Sequence, residues 1–173
     1  DMIFAGAAPC WLDEGTASYF EGARLLPNGR VEKNLVVDWY LKGLAKRLEA
    51  GKPSLRDVVV YEGAESFAAD HYTVAWGLVY FLLNYEDPSH ERVYAPLYAS
   101  YMDSYRTGGK HERLDRFVEY FVTKPKLPGV ATFEEVEARY RAWISELEAL
   151  RFGPASVAST ILERARGQRA AKK

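Results

Sequence analysis

A carboxylate set into the apolar stripe of a helix is the residue from which chemistry is most readily read in this chain. In Pro9-Cys10-Trp11-Leu12-Asp13-Glu14-Gly15-Thr16-Ala17-Ser18-Tyr19-Phe20-Glu21, proline suits a first helical turn, and Trp11, Leu12, Gly15, Ser18 and Tyr19 recur at helical spacing. Glu14 therefore falls on or beside the buried face. An unpaired charge there is costly, so the carboxylate takes a cation, a hydrogen-bonded network or a metal ion. The plainer alternative is an acid near a helix N-terminus, steadied by the helix dipole and a neighbouring cation.

Few other groups compete with it. Cys10 is the lone cysteine, which excludes an intrachain disulfide and a Cys-based zinc site, and no histidine stands at a readable spacing to activate it as a nucleophile. The histidines are His71, His90 and His111. His90-Glu91 and His111-Glu112 begin like the two-histidine zinc helix H-E-x-x-H, but neither has a second His at i+4. His71 and Tyr72 open a strongly apolar run. An imidazolium or phenol there can steady the oxyanion of a tetrahedral intermediate, and the same residue types also serve as core residues with satisfied polar tips. Trp76, Tyr80, Phe81 and Tyr85 could line a groove, although core packing is the simpler expectation.

The segment Pro9, Trp11-Leu12-x-Glu14-Gly15-x-Ala17-x-Tyr19-Phe20-Glu21 resembles the downstream signature of gluzincin-type zinc metallopeptidases of the peptidase-MA-like group. Tyr72, Ala75, Trp76, Leu78, Val79, Phe81 and Leu82 resemble the aromatic helix that follows it in those domains, so the likeness spans most of residues 9–151. The resemblance implies that Glu14 is the third zinc ligand, after two histidines from an H-E-x-x-H helix, and that the substrate is a peptide or protein. Glu21, seven residues on and on nearly the same face, would then hydrogen-bond a ligand imidazole; the alternative is a pair with Arg24 at i+3. His71 and Tyr72 would be the additional polar groups at the cleft. No H-E-x-x-H occurs in these 173 residues. The expectation is thus that the two-histidine helix lies upstream of Asp1, that zinc belongs to the complete parent and not to this piece, and that the piece is inactive alone. Relatives of this type are often exported, which leaves the compartment open. A helical interaction or scaffold module with a degenerate peptidase fold is the competing reading.

The elements that must position these groups are helical. A helix is expected from about Pro9 to Gly22, a turn at Pro27-Asn28-Gly29-Arg30, and a helix from Asn34 to Ala50, capped by Asn34 and ended by Gly51. Ser54 caps a short helix over 54–60, chosen over a strand because Val58-Val59-Val60 has no comparable partner strand nearby. Residues 67–85 are apolar on nearly every side and predict the central buried helix. A helix over 89–106, capped by Ser89, is kinked or split near Ala95 by Pro96. Another spans Lys110 to Thr123, and the capping box Thr132-Phe-Glu-Glu135 opens one that reaches about Arg151.

These elements make one all-α domain of about six to eight helices over 1–173: a linker at 1–8, the peptidase-like region at 9–151, and a final helix with a basic tail at 152–173. The composition, 48% hydrophobic and 14% aromatic, is that of a chain able to bury a core. A net charge of −1 supplies no bulk field for nucleic acid or an acidic membrane, and no apolar run approaches the ~20 residues of a transmembrane helix. If the two-histidine helix is missing, the surface it leaves bare is expected to favour self-association.

Overall fold

The sixteen-residue helix Ala69–Asn84 is the axis of the structure, a computed structural model that describes residues 8–32, 35–62, 67–107 and 113–154. Every residue from Thr73 to Leu82 is buried, because this helix has no polar face and is packed on several sides at once. In chain order the helices are α1 (Cys10–Glu21), α2 (Asp38–Ala50), α3 (Leu55–Val60), α4 (Ala69–Asn84), α5 (Ala95–Thr107), α6 (Arg113–Val118) and α7 (Phe133–Phe152). The α6 helix runs on into a π-helical turn at Glu119–Thr123. Helices α1, α2, α3, α5 and α7 all touch α4. The fold is all-α, as the periodicity predicts, with one small antiparallel hairpin of β1 (Arg24–Leu25) and β2 (Val31–Glu32). Its turn contains Gly29 at φ 76°, a conformation glycine adopts without strain.

Rings fill the space around α4. Trp76 stacks between Tyr40 of α2 at 5.2 Å and Tyr80 at 5.3 Å, and Phe81 meets Tyr94 at 5.3 Å and Trp143 of α7 at 5.6 Å. Trp76, Tyr80 and Phe81 are therefore core, while Tyr85 is half-buried at the end of α4. Both predicted caps form: Thr132 makes the expected capping box with Glu135, and Ser54 makes one with Asp57.

Two boundaries depart from the sequence expectations. Helix α2 begins at Asp38 with Val37 as its N-cap, leaving Leu35 and Val36 before the helix; Asn34 lies outside the described residues. Within α2 the buried residues are Tyr40, Leu41 and Leu44, and Trp39, although apolar, stands beside that stripe and is 64% exposed. Ser89 caps no helix: Asp87 instead organises a local turn, its carboxylate accepting the backbone N–H groups of Ser89 and Glu91. Helix α5 starts at Ala95, which puts Pro96 in the first turn, where its missing N–H costs nothing. The first residues of the helix expected from Lys110 lie outside the described residues; from Arg113 the helix is present as expected and runs through the π-helical turn to Thr123. The helix expected beyond 154, and nearly all of the 1–8 linker, fall outside the described residues. Among those described, no helix is long and apolar enough to cross a membrane.

Candidate functional site

Glu14 owes its position to the glycine that follows it. Helix α1 lies so close on α4 that a Cβ on Gly15 would stand 2.6 Å from the carbonyl oxygen of Ala75. Trp11, Leu12, Thr16, Ser18 and Tyr19 complete the buried stripe, and Glu14 sits half-buried at its edge. The far side of α1 is tied to α5 through Thr16, whose hydroxyl hydrogen-bonds that of Tyr98 at 2.7 Å. The carboxylate is held between well-anchored elements.

Its partner is Tyr72, in the first turn of α4. The phenol lies beside the Glu14 carboxylate; burial, and after it the charge of Glu14, push the phenol above its ordinary value. Tyr72 therefore stays protonated at neutral pH and remains a donor. Among the described residues Glu14 has no ion-pair partner, so the cation of the plain reading is not found there. One neutral donor leaves most of the carboxylate's acceptor capacity open.

Glu21 lies exposed at the end of α1. It accepts a hydrogen bond from the Tyr40 hydroxyl at 3.1 Å, and no ion pair with Arg24 is formed among the described residues. Two carboxylates of α1 are thus each met by a tyrosine from a different helix, Glu14 by α4 and Glu21 by α2. The i+7 spacing anticipates their shared face, but the two phenols carry no signal in the sequence beyond their aromatic type.

The adjacent pair His71 and Tyr72 is separated by the turn of the helix. Tyr72 faces Glu14, whereas the imidazole of His71 packs on Tyr61 at 4.7 Å and Phe67 at 5.2 Å. Its buried Nδ1 has no hydrogen-bond partner. His90 is exposed on the Asp87 turn, and His111 is outside the described residues. Cys10, one turn before Glu14, is half-buried; burial raises its thiol above the ordinary value, with Arg113 opposing, so it is not an activated nucleophile. Among the described residues no three His, Cys, Asp or Glu side chains are grouped to hold a metal.

A hollow of about 290 Å³ opens beside this site between α2 and the start of α4, lined by Trp39, Tyr40, Gly43, Arg47, Ala69, Tyr72 and Thr73. Nothing in the sequence signals it, because it forms from the packing of two helices and from a glycine inside α2. A larger, more polar hollow of about 580 Å³ lies away from Glu14, between Arg139, Trp143 and the segment following α4. Comparison of the chain with protein-family models, with curated proteins and with solved structures gives no match.

Proposed function

We propose that Glu14 is the carboxylate ligand of a catalytic zinc site of gluzincin type, and that this chain is the helical C-terminal portion of a peptidase domain whose two imidazole ligands come from a segment outside these 173 residues. The observation that carries the reading is the state of Glu14: a half-buried carboxylate on a helix packed closely against α4, with no ion pair among the described residues and one phenol beside it. Such a group suits a metal ligand, whose oxygen must be free and whose orientation is set by an outer hydrogen bond. The donor set fits zinc as one of three protein ligands and not as a complete site. Zinc, when bound, polarises the scissile carbonyl and makes its water a nucleophile near neutral pH. This chain's own contribution is positional: Gly15 brings α1 against α4, Tyr72 offers the Glu14 carboxylate a donor, and Tyr40 holds the end of the same helix through Glu21.

In a chain that carries an upstream H-E-x-x-H together with this segment, stoichiometric zinc and casein hydrolysis are expected. Glu14→Ala is expected to lower zinc affinity by more than the 10–100-fold typical of losing an outer partner, and Tyr72→Phe by about that 10–100-fold itself. The 173-residue chain alone is expected to hold no stoichiometric zinc. A well-folded longer chain that binds no zinc and hydrolyses nothing would favour the competing reading. In that case the exposed Phe20, Leu25, Val31 and Trp39 would serve a non-catalytic helical interaction module.

A further inference from the structure

We infer that the hollow between α2 and α4 is a recognition subsite for one aromatic side chain of a peptide, presented to Glu14 across Tyr72; that the ligand is a peptide rests on the zinc-site reading above. Continuity comes first. Tyr72 lines the hollow and its phenol lies beside the Glu14 carboxylate, so one residue borders both places. A side chain seated in the hollow leaves its own backbone beside that carboxylate.

The walls then select the occupant. Trp39 is 64% exposed, its ring stacked on Tyr40 at 3.6 Å with the planes 27° apart. An exposed indole held flat against a second ring is a ready face for a third. The hollow's one cation is already matched: Arg47 donates through Nε to the Asp70 carboxylate at 2.8 Å, through Nη2 to the same oxygen, and through Nη1 to the Gly43 carbonyl at 2.8 Å. With that charge neutralised the hollow favours an uncharged guest over an acidic one, and the flat guanidinium offers one more surface to stack on. The volume, about 290 Å³, lies at the bottom of the range for small-molecule pockets and suits a single ring. Gly43 provides the floor. A Cβ there would lie 3.0 Å from Arg47 Nη1 and 3.6 Å from the Thr73 methyl, so any larger side chain grows into the space.

The test uses the 173-residue chain with three capped tripeptides, acetyl-Ala-Phe-Ala-amide, acetyl-Ala-Ala-Ala-amide and acetyl-Ala-Glu-Ala-amide, titrated while ¹H–¹⁵N spectra are recorded. The Phe peptide is expected to shift the Trp39 indole and the Gly43 and Thr73 amides saturably, at least tenfold tighter than either other peptide. Gly43→Leu, which fills the hollow at a helix-favouring position, is expected to remove that preference while leaving the urea midpoint at or above that of the parent. Trp39→Ala, at an exposed site, is expected to weaken Phe binding as well. Equal binding of the three peptides, shifts confined to another surface, or a full Phe preference in folded Gly43→Leu would each overturn the assignment. Because these readings need no metal, they separate from the zinc-site reading. Zinc and hydrolysis without an aromatic preference would sink the subsite alone, and aromatic binding with no zinc in the longer chain would sink the peptidase alone.

Discussion

Gly15→Ala is expected to destabilise the fold by about 3 kcal/mol, the upper part of the range for overpacking, although the same change inside a helix ordinarily gains about 0.5–1 kcal/mol. The reversal follows from what the new methyl would meet. It would lie 2.6 Å from the Ala75 carbonyl oxygen, 2.8 Å from the Ala75 carbonyl carbon and 2.9 Å from a methyl of Val79. Two of those atoms are backbone in the most buried helix and cannot rotate aside, so α1 must withdraw from α4 along its length. That withdrawal also carries Glu14 away from Tyr72, so the variant is expected to lose zinc in the longer chain without any ligand being altered. Urea unfolding followed by circular dichroism measures the effect as a lower midpoint with unchanged slope. Gly43→Ala is the control: its nearest obstacle is the tip of the Arg47 side chain at 3.0 Å, which can move, and helix propensity is expected to make that variant neutral or slightly more stable. If Gly15→Ala matches Gly43→Ala, the close approach of α1 and α4 is not what holds Glu14 in place.

The sequence carried the helices better than it carried their surroundings. The caps at Ser54 and Thr132 and the positive-φ glycine at Gly51 are local signals, and each sits where its chemistry requires. Asn34 and Ser89 are good caps by type, yet neither begins a helix in the way expected. The start of α2 is set farther on, at Asp38, and Pro96 fits best in a first turn, which fixes α5 at Ala95. At the site, periodicity placed Glu14 at the edge of a buried stripe and Glu21 on a related face. It could not tell that adjacent His71 and Tyr72 would diverge, since the two lie about 100° apart around a 3.6-residue helix and which faces α1 is decided by packing. The hollow was illegible for the same reason: it forms where α2 packs against the start of α4, and which of the adjacent Trp39 and Tyr40 is buried is decided by that packing.

Raising the pH is expected to unfold the domain cooperatively between about pH 10 and 12, the span that begins at the ordinary phenol value. Burial pushes Tyr94 up to about 12, holds Tyr98 and Tyr140 higher still, and keeps Tyr101 well above its ordinary value. A phenol is neutral when protonated, so a raised value means that the folded chain keeps a proton that the unfolded chain releases. The stability of each group is therefore intact below about pH 10 and is lost as the pH climbs toward its folded value, at about 1.4 kcal/mol per pH unit. Four such groups remove about 5 kcal/mol over the first unit, comparable with the whole stability of many domains. Circular dichroism and tyrosinate absorbance followed together should change in one step, most of the buried phenols ionising only as the helices melt. Smooth ionisation of all 12 tyrosines near pH 10, with the helical signal unchanged, would mean that these rings are not enclosed as described. Tyr94→Phe sharpens the test, because the Tyr94 hydroxyl is buried with no hydrogen-bond partner. Removing it costs no bond and deletes one alkaline liability, so the midpoint should move to higher pH, whereas Tyr98→Phe also breaks the hydrogen bond to Thr16 that ties α5 to the helix carrying Glu14.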